Sequence, residues 1–130
     1  MVTERRKKIL IVDDESIMVS VLKRHVSNAG YEFVAATSGQ EALEKIQQEV
    51  PDLVLLDLMM PDMNGFETCR RIRAEEKTKS LPVLIITALR SESDSSAAAA
   101  CGANELIVKP VDGDLLAKRL RYHLGSPFKL

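Results

Sequence analysis

Ile9-Leu10-Ile11-Val12-Asp13-Asp14-Glu15 sets four uninterrupted apolar residues directly against three acids. An apolar run without polar alternation reads as a strand buried on both faces, the habit of a parallel sheet. Four more such runs follow: Phe33-Val34-Ala35-Ala36, Leu53-Val54-Leu55-Leu56, Val83-Leu84-Ile85-Ile86 and Leu106-Ile107-Val108. The segments between them read as helices. The first, roughly Glu15 to Ala29, carries Ile17, Met18, Val21, Leu22 and Val26 on one stripe and stops at Gly30. The second opens on Ser38-Gly39-Gln40-Glu41, the pattern of a capping box, with Ala42, Leu43 and Ile46 apolar. The third starts near Asn64, with Phe66, Cys69 and Ile72 at helical spacing. The fourth, Glu92 to Cys101, is rich in Ser and Ala and ends at Gly102. The fifth follows Asp112 as N-cap and carries Leu115, Leu116, Leu120 and Leu124 before Gly125 and Pro127.

Five strands alternating with five helices specify an α/β fold, a doubly wound parallel sheet with helices on both faces. Strand order 2-1-3-4-5 is one of two common arrangements, and the residues by themselves leave both open. The unequal spacing of the runs excludes a repeat protein.

Length and composition agree. The chain has 130 residues, 45% hydrophobic and 28% charged, which is one ordinary globular domain rather than a disordered or fibrous chain. We read residues 1–8 as a charged leader, 9–124 as the domain and 125–130 as a tail or the start of a linker. No apolar run is long enough to span a membrane, and no apolar signal region follows the charged N-terminus, so a cytoplasmic location is expected. The net charge of −1 argues against binding nucleic acid through a broad basic surface. The run Arg5-Arg6-Lys7-Lys8 is a local exception, read as a solvated leader. Cys69 and Cys101 match neither zinc spacing nor a redox CxxC, and read as buried thiols.

The chemistry lies just past the end of each run. The first strand is followed by Asp13 and Asp14, the third by Asp57, the fourth by Thr87 and the fifth by Lys109. In a parallel sheet all C-terminal strand ends share one edge, where open α/β sheets bind ligands. Singly, each residue has an ordinary explanation. Asp13 and Asp14 could cap a helix, Asp57 could sit in a turn before Pro61, Thr87 could bond a carbonyl, and Lys109 could be solvated. Together their chemistry is complementary. Three carboxylates in close range repel one another unless a cation joins them, and carboxylate oxygens suit Mg2+. A carboxylate can also act as a nucleophile toward a phosphoryl group, with Mg2+, an ammonium and a hydroxyl stabilising the transferred charge.

In these segments the chain resembles the receiver domain of bacterial two-component response regulators. Ile9 to Glu15, Asp57-Leu58-Met59-Met60-Pro61-Asp62-Met63-Asn64-Gly65, Thr87-Ala88 and Val108-Lys109-Pro110 carry the likeness, which runs from about Lys8 to Leu124. The resemblance implies a flavodoxin-like (βα)5 fold with order 2-1-3-4-5. It implies that Asp57 accepts a phosphoryl group from a histidine kinase or phosphotransfer protein. It implies a Mg2+ ion held by Asp14, Asp57 and the backbone carbonyl of Met59, with Asp13 acting through a water. Thr87 would bond the phosphoryl oxygens, Lys109 would pair with Asp57 or its phosphate, and the Lys109-Pro110 bond would be cis. Met59 and Leu89 would flank the site. The chain would catalyse only its own phosphorylation and slow dephosphorylation, and so would be a switch rather than an enzyme.

One position departs from the family pattern. Where members often carry Tyr or Phe three residues before the lysine, this chain has Leu106. Coupling from site to surface would then work by apolar repacking. The resemblance places the signalling surface on the fourth helix, fifth strand and fifth helix, for an output domain, another partner or a second copy of the chain. Lys118 to Leu124, with Gly102-Ala103-Asn104, are similar to receivers fused to cyclic-di-GMP enzymes. His25 and His123 read as packing or surface residues. An alternative is a pseudo-receiver, a phosphorylation-independent interaction module. A phosphatase of the haloacid dehalogenase type needs a second Asp two residues after its nucleophile, where Asp57 is followed by Leu58-Met59. A flavin mononucleotide carrier would set Asp13-Asp14 against a phosphate.

Overall fold

The computed structural model describes residues 5–88 and 92–129, and of residues 92–95 the backbone only. Leu89, expected beside the site, lies outside the described residues. The elements alternate as β1 (Lys8–Val12), α1 (Ser16–Asn28), β2 (Glu32–Ala36), α2 (Gly39–Gln48), β3 (Leu53–Asp57), α3 (Gly65–Ala74), β4 (Val83–Thr87), α4 (Glu92–Ala100), β5 (Glu105–Val108) and α5 (Gly113–Leu124). The sheet order is β2-β1-β3-β4-β5 and every pairing is parallel.

Alternation along the strands divides the core into two layers, because successive strand side chains point to opposite faces. Leu10, Val12, Val54, Leu56, Val83 and Ile85 meet Ala42 and Ile46 of α2, Cys69 and Ile72 of α3, and Ala98 of α4. Ile9, Ile11, Leu53, Leu55, Leu84 and Ile86 meet Leu22 and Val26 of α1 and Leu116 and Leu120 of α5. The register sets Ile11 beside Ala35 and Leu55, and Thr87 beside Val108, so the strand ends line up along one edge.

Several local expectations change. The central strands are buried on both faces, but β2 is an edge strand, and its Phe33 is partly exposed beneath the Lys23 ammonium, 5.2 Å from the ring centroid. Ile17 is off the buried stripe of α1: it is 80% exposed, and Val19, Leu22 and Val26 face the sheet instead. Leu115 likewise faces solvent, and Leu116 and Leu120 carry the burial of α5. At α2, Ser38 Oγ accepts from the Glu41 N–H at 3.0 Å, but the Glu41 carboxylate accepts from the Thr37 N–H at 2.6 Å, one residue outside the reciprocal bond of a capping box.

The leader and the tail are paired with each other. The Lys7 N–H donates to the Pro127 carbonyl at 2.6 Å, and the Lys129 N–H donates to the Arg5 carbonyl at 2.8 Å. Arg6 and Phe128 form an antiparallel bridge, with the guanidinium 4.7 Å from the ring centroid. The buried Tyr31 hydroxyl donates to the Gly125 carbonyl at 2.9 Å, closing off the end of α5.

Candidate functional site

Parallel pairing brings Asp13, Asp14, Asp57, Thr87 and Lys109 to one edge, between β1, β3, β4 and β5. Asp13 extends β1 by one ladder bond, its N–H donating to the Ala36 carbonyl at 3.1 Å. Its side chain is fully buried. Oδ1 accepts from the Glu15 N–H at 2.9 Å, closing the turn into α1. Neither aspartate caps the helix: Glu15 is the N-cap residue of α1 and makes no side-chain cap bond. Asp13 Oδ2 has no hydrogen-bond partner among the described residues, and the Lys109 ammonium stops 3.7 Å away.

Asp57 ends β3 and is 3% exposed, with its Oδ1 accepting from Lys109 Nζ at 3.2 Å. Asp14 is exposed at the mouth. One carboxylate oxygen from each of Asp13, Asp14 and Asp57 lies within 4.8 Å of the other two. Thr87 is fully buried at the end of β4, and its carbonyl accepts from the Lys109 N–H at 2.7 Å. The Lys109-Pro110 bond is cis. Met59 sits in the loop after β3 and is 64% exposed.

The electrostatics follow from this crowding. Burial, reinforced by the neighbouring Asp13 charge, pushes the Asp57 carboxyl above its ordinary value, and the Lys109 bond offsets only part of that. Burial also raises Asp13, against the Glu15 N–H and the Lys109 charge. Burial alone would lower Lys109, but its bond to Asp57 and the charges of Asp57 and Asp13 hold it above the ordinary lysine value. Three carboxylates thus crowd one edge, a single ammonium reaches two of them, Asp57 and Asp13, and among the described residues the buried Asp13 Oδ2 accepts no hydrogen bond. That donor set fits a hard divalent cation, which prefers oxygen ligands and tolerates water in its shell.

The sequence reading missed two supporting features. The backbone N–H of Glu15 fixes the Asp13 rotamer. Gly65, the first residue of α3, lets that helix sit directly on the end of β3: its N–H donates to the Leu58 carbonyl at 2.9 Å, and a Cβ there would fall 2.5 Å from the Asp57 carbonyl oxygen. A glycine immediately after the Asn64 N-cap was the signal for it.

Away from this edge, the expected surface of α4, β5 and α5 contains a charged cluster. Glu105 takes a bidentate bond from Arg119 at 2.6–2.9 Å and lies 2.5 Å from His123 Nε2, so His123 packs against Glu105 as a hydrogen-bond partner. The Glu105 carboxyl, raised by burial, is lowered overall by Arg119 and His123. His25 packs on the first turn of α5, since a Cβ at Gly113 would fall 2.6 Å from its Nδ1. Leu106 is half-buried against the layer containing Ala98 and Cys101.

Comparison with known proteins agrees with this reading of the fold. The family model of the response regulator receiver domain matches residues 9–121. A probable transcriptional regulator ycf27 of Guillardia theta is 39% identical over 118 residues, 91% of this chain and 45% of that protein. The alkaline phosphatase synthesis transcriptional regulatory protein PhoP of Bacillus subtilis is 38% identical, over 80% of this chain and 42% of its own length. The chain spans about half the length of these curated relatives. Among solved structures, the Vibrio cholerae chemotaxis protein CheY4 superposes with a TM-score of 0.87 at 33% identity, covering 92% of this chain and all (100%) of that one. The receiver domain of the Pseudomonas aeruginosa sensor histidine kinase PA1611, which has a magnesium ion coordinated in its active site cleft, superposes with a TM-score of 0.86 at 25% identity, covering 94% of this chain and 100% of its own. With the family model matched over most of the chain and the fold superposing on its members, the chain belongs to the response regulator receiver domain family.

Proposed function

We propose that the chain is a phosphorylation switch in which Asp57 accepts a phosphoryl group from a histidine kinase or phosphotransfer protein. The observation that carries this reading is the buried Oδ2 of Asp13, which accepts no hydrogen bond among the described residues, beside an Asp57 carboxylate already paired with Lys109. Asp14, Asp57 and the Met59 carbonyl would hold Mg2+, with Asp13 acting through a water. When bound, that ion supplies positive charge to the oxygens of the transferred group. The Asp57 carboxylate oxygen attacks phosphorus, the donor leaves with the bonding pair, and an acyl phosphate results. Lys109, 3.2 Å from Asp57, moves its charge onto a phosphoryl oxygen without crossing the site. Thr87, one ladder step across on β4, offers its hydroxyl to the same group. Rather than turning over an external substrate, the chain would catalyse only this transfer and the slow hydrolysis of its own acyl phosphate, which releases inorganic phosphate and restores the Asp57 carboxylate.

Phosphorylation would then alter the α4–β5–α5 surface, controlling an output domain or partner and allowing a homodimer. Leu106 would transmit the change by apolar repacking. Among the described residues no helix is long and apolar enough to cross a membrane, and we place the switch in the cytoplasm, where kinases supply phosphoryl groups. A fluorine-19 spectrum with beryllofluoride tests the reading. A bound resonance that requires Mg2+ and disappears in Asp57→Asn supports it; no bound resonance favours a phosphorylation-independent interaction module.

A further inference from the structure

One arginine outside the acidic edge holds the turn between α4 and β5 from several directions. Arg73, on the last turn of α3, donates through Nε to the Gly102 carbonyl at 2.8 Å. Its Nη1 donates to the Leu81 carbonyl at 2.6 Å and to that of Thr78 at 3.3 Å. Its Nη2 donates to Asn104 Oδ1 at 2.8 Å. That Asn104 oxygen also accepts from the Val83 N–H at 2.8 Å, and the Asn104 N–H donates to the Val83 carbonyl at 2.8 Å. Asn104 thereby clasps the first residue of β4.

The end of α4 is shaped to receive the guanidinium. Gly102 has φ +90, and the Ala103 and Gly102 N–H groups return to the carbonyls of Ala98 and Ala99, the paired bonds of a Schellman stop. A Cβ at Gly102 would fall 2.9 Å from Arg73 Cγ, so the arginine stem fills the space that a side chain would take. Four acceptors on two loops therefore converge on one planar donor group, a demand that suits arginine and not lysine. Along α4 itself the described part offers little comparable hold: Ala98 is buried, while Ser96, Ala99 and Ala100 are exposed.

We propose that Arg73 is the fixed pivot of α4: it pins the Cys101–Asn104 turn to α3 and β4, so that rearrangement of α4 is confined to its N-terminal end, the end nearer Thr87. This deepens the switch proposed above and rests on it for the rearrangement, though not for the anchor. It assigns Arg73 a positioning role, since it touches none of Asp13, Asp14, Asp57, Thr87 or Lys109.

Hydrogen exchange read by mass spectrometry on the whole chain tests the proposal, with and without Mg2+ and beryllofluoride. In wild type, beryllofluoride should change exchange over residues 92–96 and leave 101–105 within about twofold. In Arg73→Met, exchange over 101–105 should rise by about tenfold or more in both states, while amides 9–12 of β1, which report global opening, stay protected. Arg73→Lys, which keeps the charge but loses the fork, should fall between the two and covers the case in which the first variant folds poorly. Protection of 101–105 unchanged in both variants overturns the anchor. A wild-type response as large at 101–105 as at 92–96 overturns the pivot. If wild type takes no beryllofluoride, the phosphoacceptor reading fails and the pivot falls with it, while the beryllofluoride-free exchange of the variants still decides the anchor.

Discussion

Replacing Asp13 by Asn should stabilise the metal-free protein at neutral pH. At an effective dielectric constant of about 20, the 4.8 Å limit to Asp57 corresponds to ~3.5 kcal/mol of repulsion, and Lys109 at 3.7 Å to ~4.5 kcal/mol of attraction. The exposed Asp14 adds a screened repulsion, so the Coulomb contributions nearly cancel. What remains is the desolvation of a fully buried carboxylate, repaid in part by the Glu15 N–H. Asn keeps that acceptor, removes the charge and turns an amide donor toward the other carboxylates. We expect a gain of about 1–2 kcal/mol, or roughly 3–8 °C in Tm for a chain this long. The sign with pH follows from a folded pKa raised above the ordinary value of 3.8: the folded protein holds its protons more tightly, so this group's contribution is fully present below that value and is lost as pH rises through the folded pKa. The advantage of Asp13→Asn should therefore be small near pH 4 and open toward pH 7. The assay is thermal and urea unfolding in chelator across that range. A variant less stable than wild type at pH 7, or a difference that does not change with pH, would show that burial of the Asp13 charge is not the dominant cost. Saturating Mg2+ should close or reverse the difference, because it stabilises whichever form binds it better.

Three further outcomes rest on particular contacts. Gly65→Ala should cost about 1–3 kcal/mol of stability and slow phosphoryl uptake at Asp57, because its Cβ would meet the Asp57 carbonyl oxygen at 2.5 Å; a wild-type Tm and uptake rate would contradict this. Glu105→Gln should destabilise at pH 7 by about 1–2 kcal/mol, since it weakens charge-assisted bonds to Arg119 and His123. The folded Glu105 pKa is depressed, so that stabilisation exists above the ordinary value of 4.5 and fades as pH falls through the folded pKa; urea melts from pH 7 downward should show wild type and variant converging. Cys69 and Cys101 should resist a thiol reagent at pH 8 until the chain unfolds: both are buried, and burial with the Cys101 neighbour pushes the Cys69 thiol up to about 12.

The sheet and its acidic edge were legible because buried strands leave unbroken apolar runs and because the reactive residues directly follow those runs. The resemblance supplied the strand order, which the apolar runs had left open, and parallel pairing then put Asp13, Asp57, Thr87 and Lys109 together. Solvent side was harder to read. A leucine or isoleucine in a helix of mixed pattern fits two neighbouring stripes, and Ile17 and Leu115 fell on the wrong one. Pairing of the leader with the tail joins segments more than a hundred residues apart, through backbone bonds that carry no side-chain signature. Arg73 was equally silent, since nothing in the sequence sets it apart from Arg70 and Arg71 or shows which carbonyls and amide meet it. The site itself was easier: acids, a threonine and a lysine set directly against apolar strands break the ordinary pattern of a core, and such departures collect where function is.

The switch proposed for this chain depends on Asp57 as the phosphoacceptor. The intact mass of the chain after incubation with acetyl phosphate and Mg2+, with Asp57→Asn and a Mg2+-free sample alongside, tests that role without an intermediary. A single phosphoryl adduct on wild type, dependent on Mg2+ and absent from the variant, is the expected result. An adduct of equal yield on Asp57→Asn, or none on wild type with acetyl phosphate, a kinase or a phosphotransfer protein as donor, would contradict it.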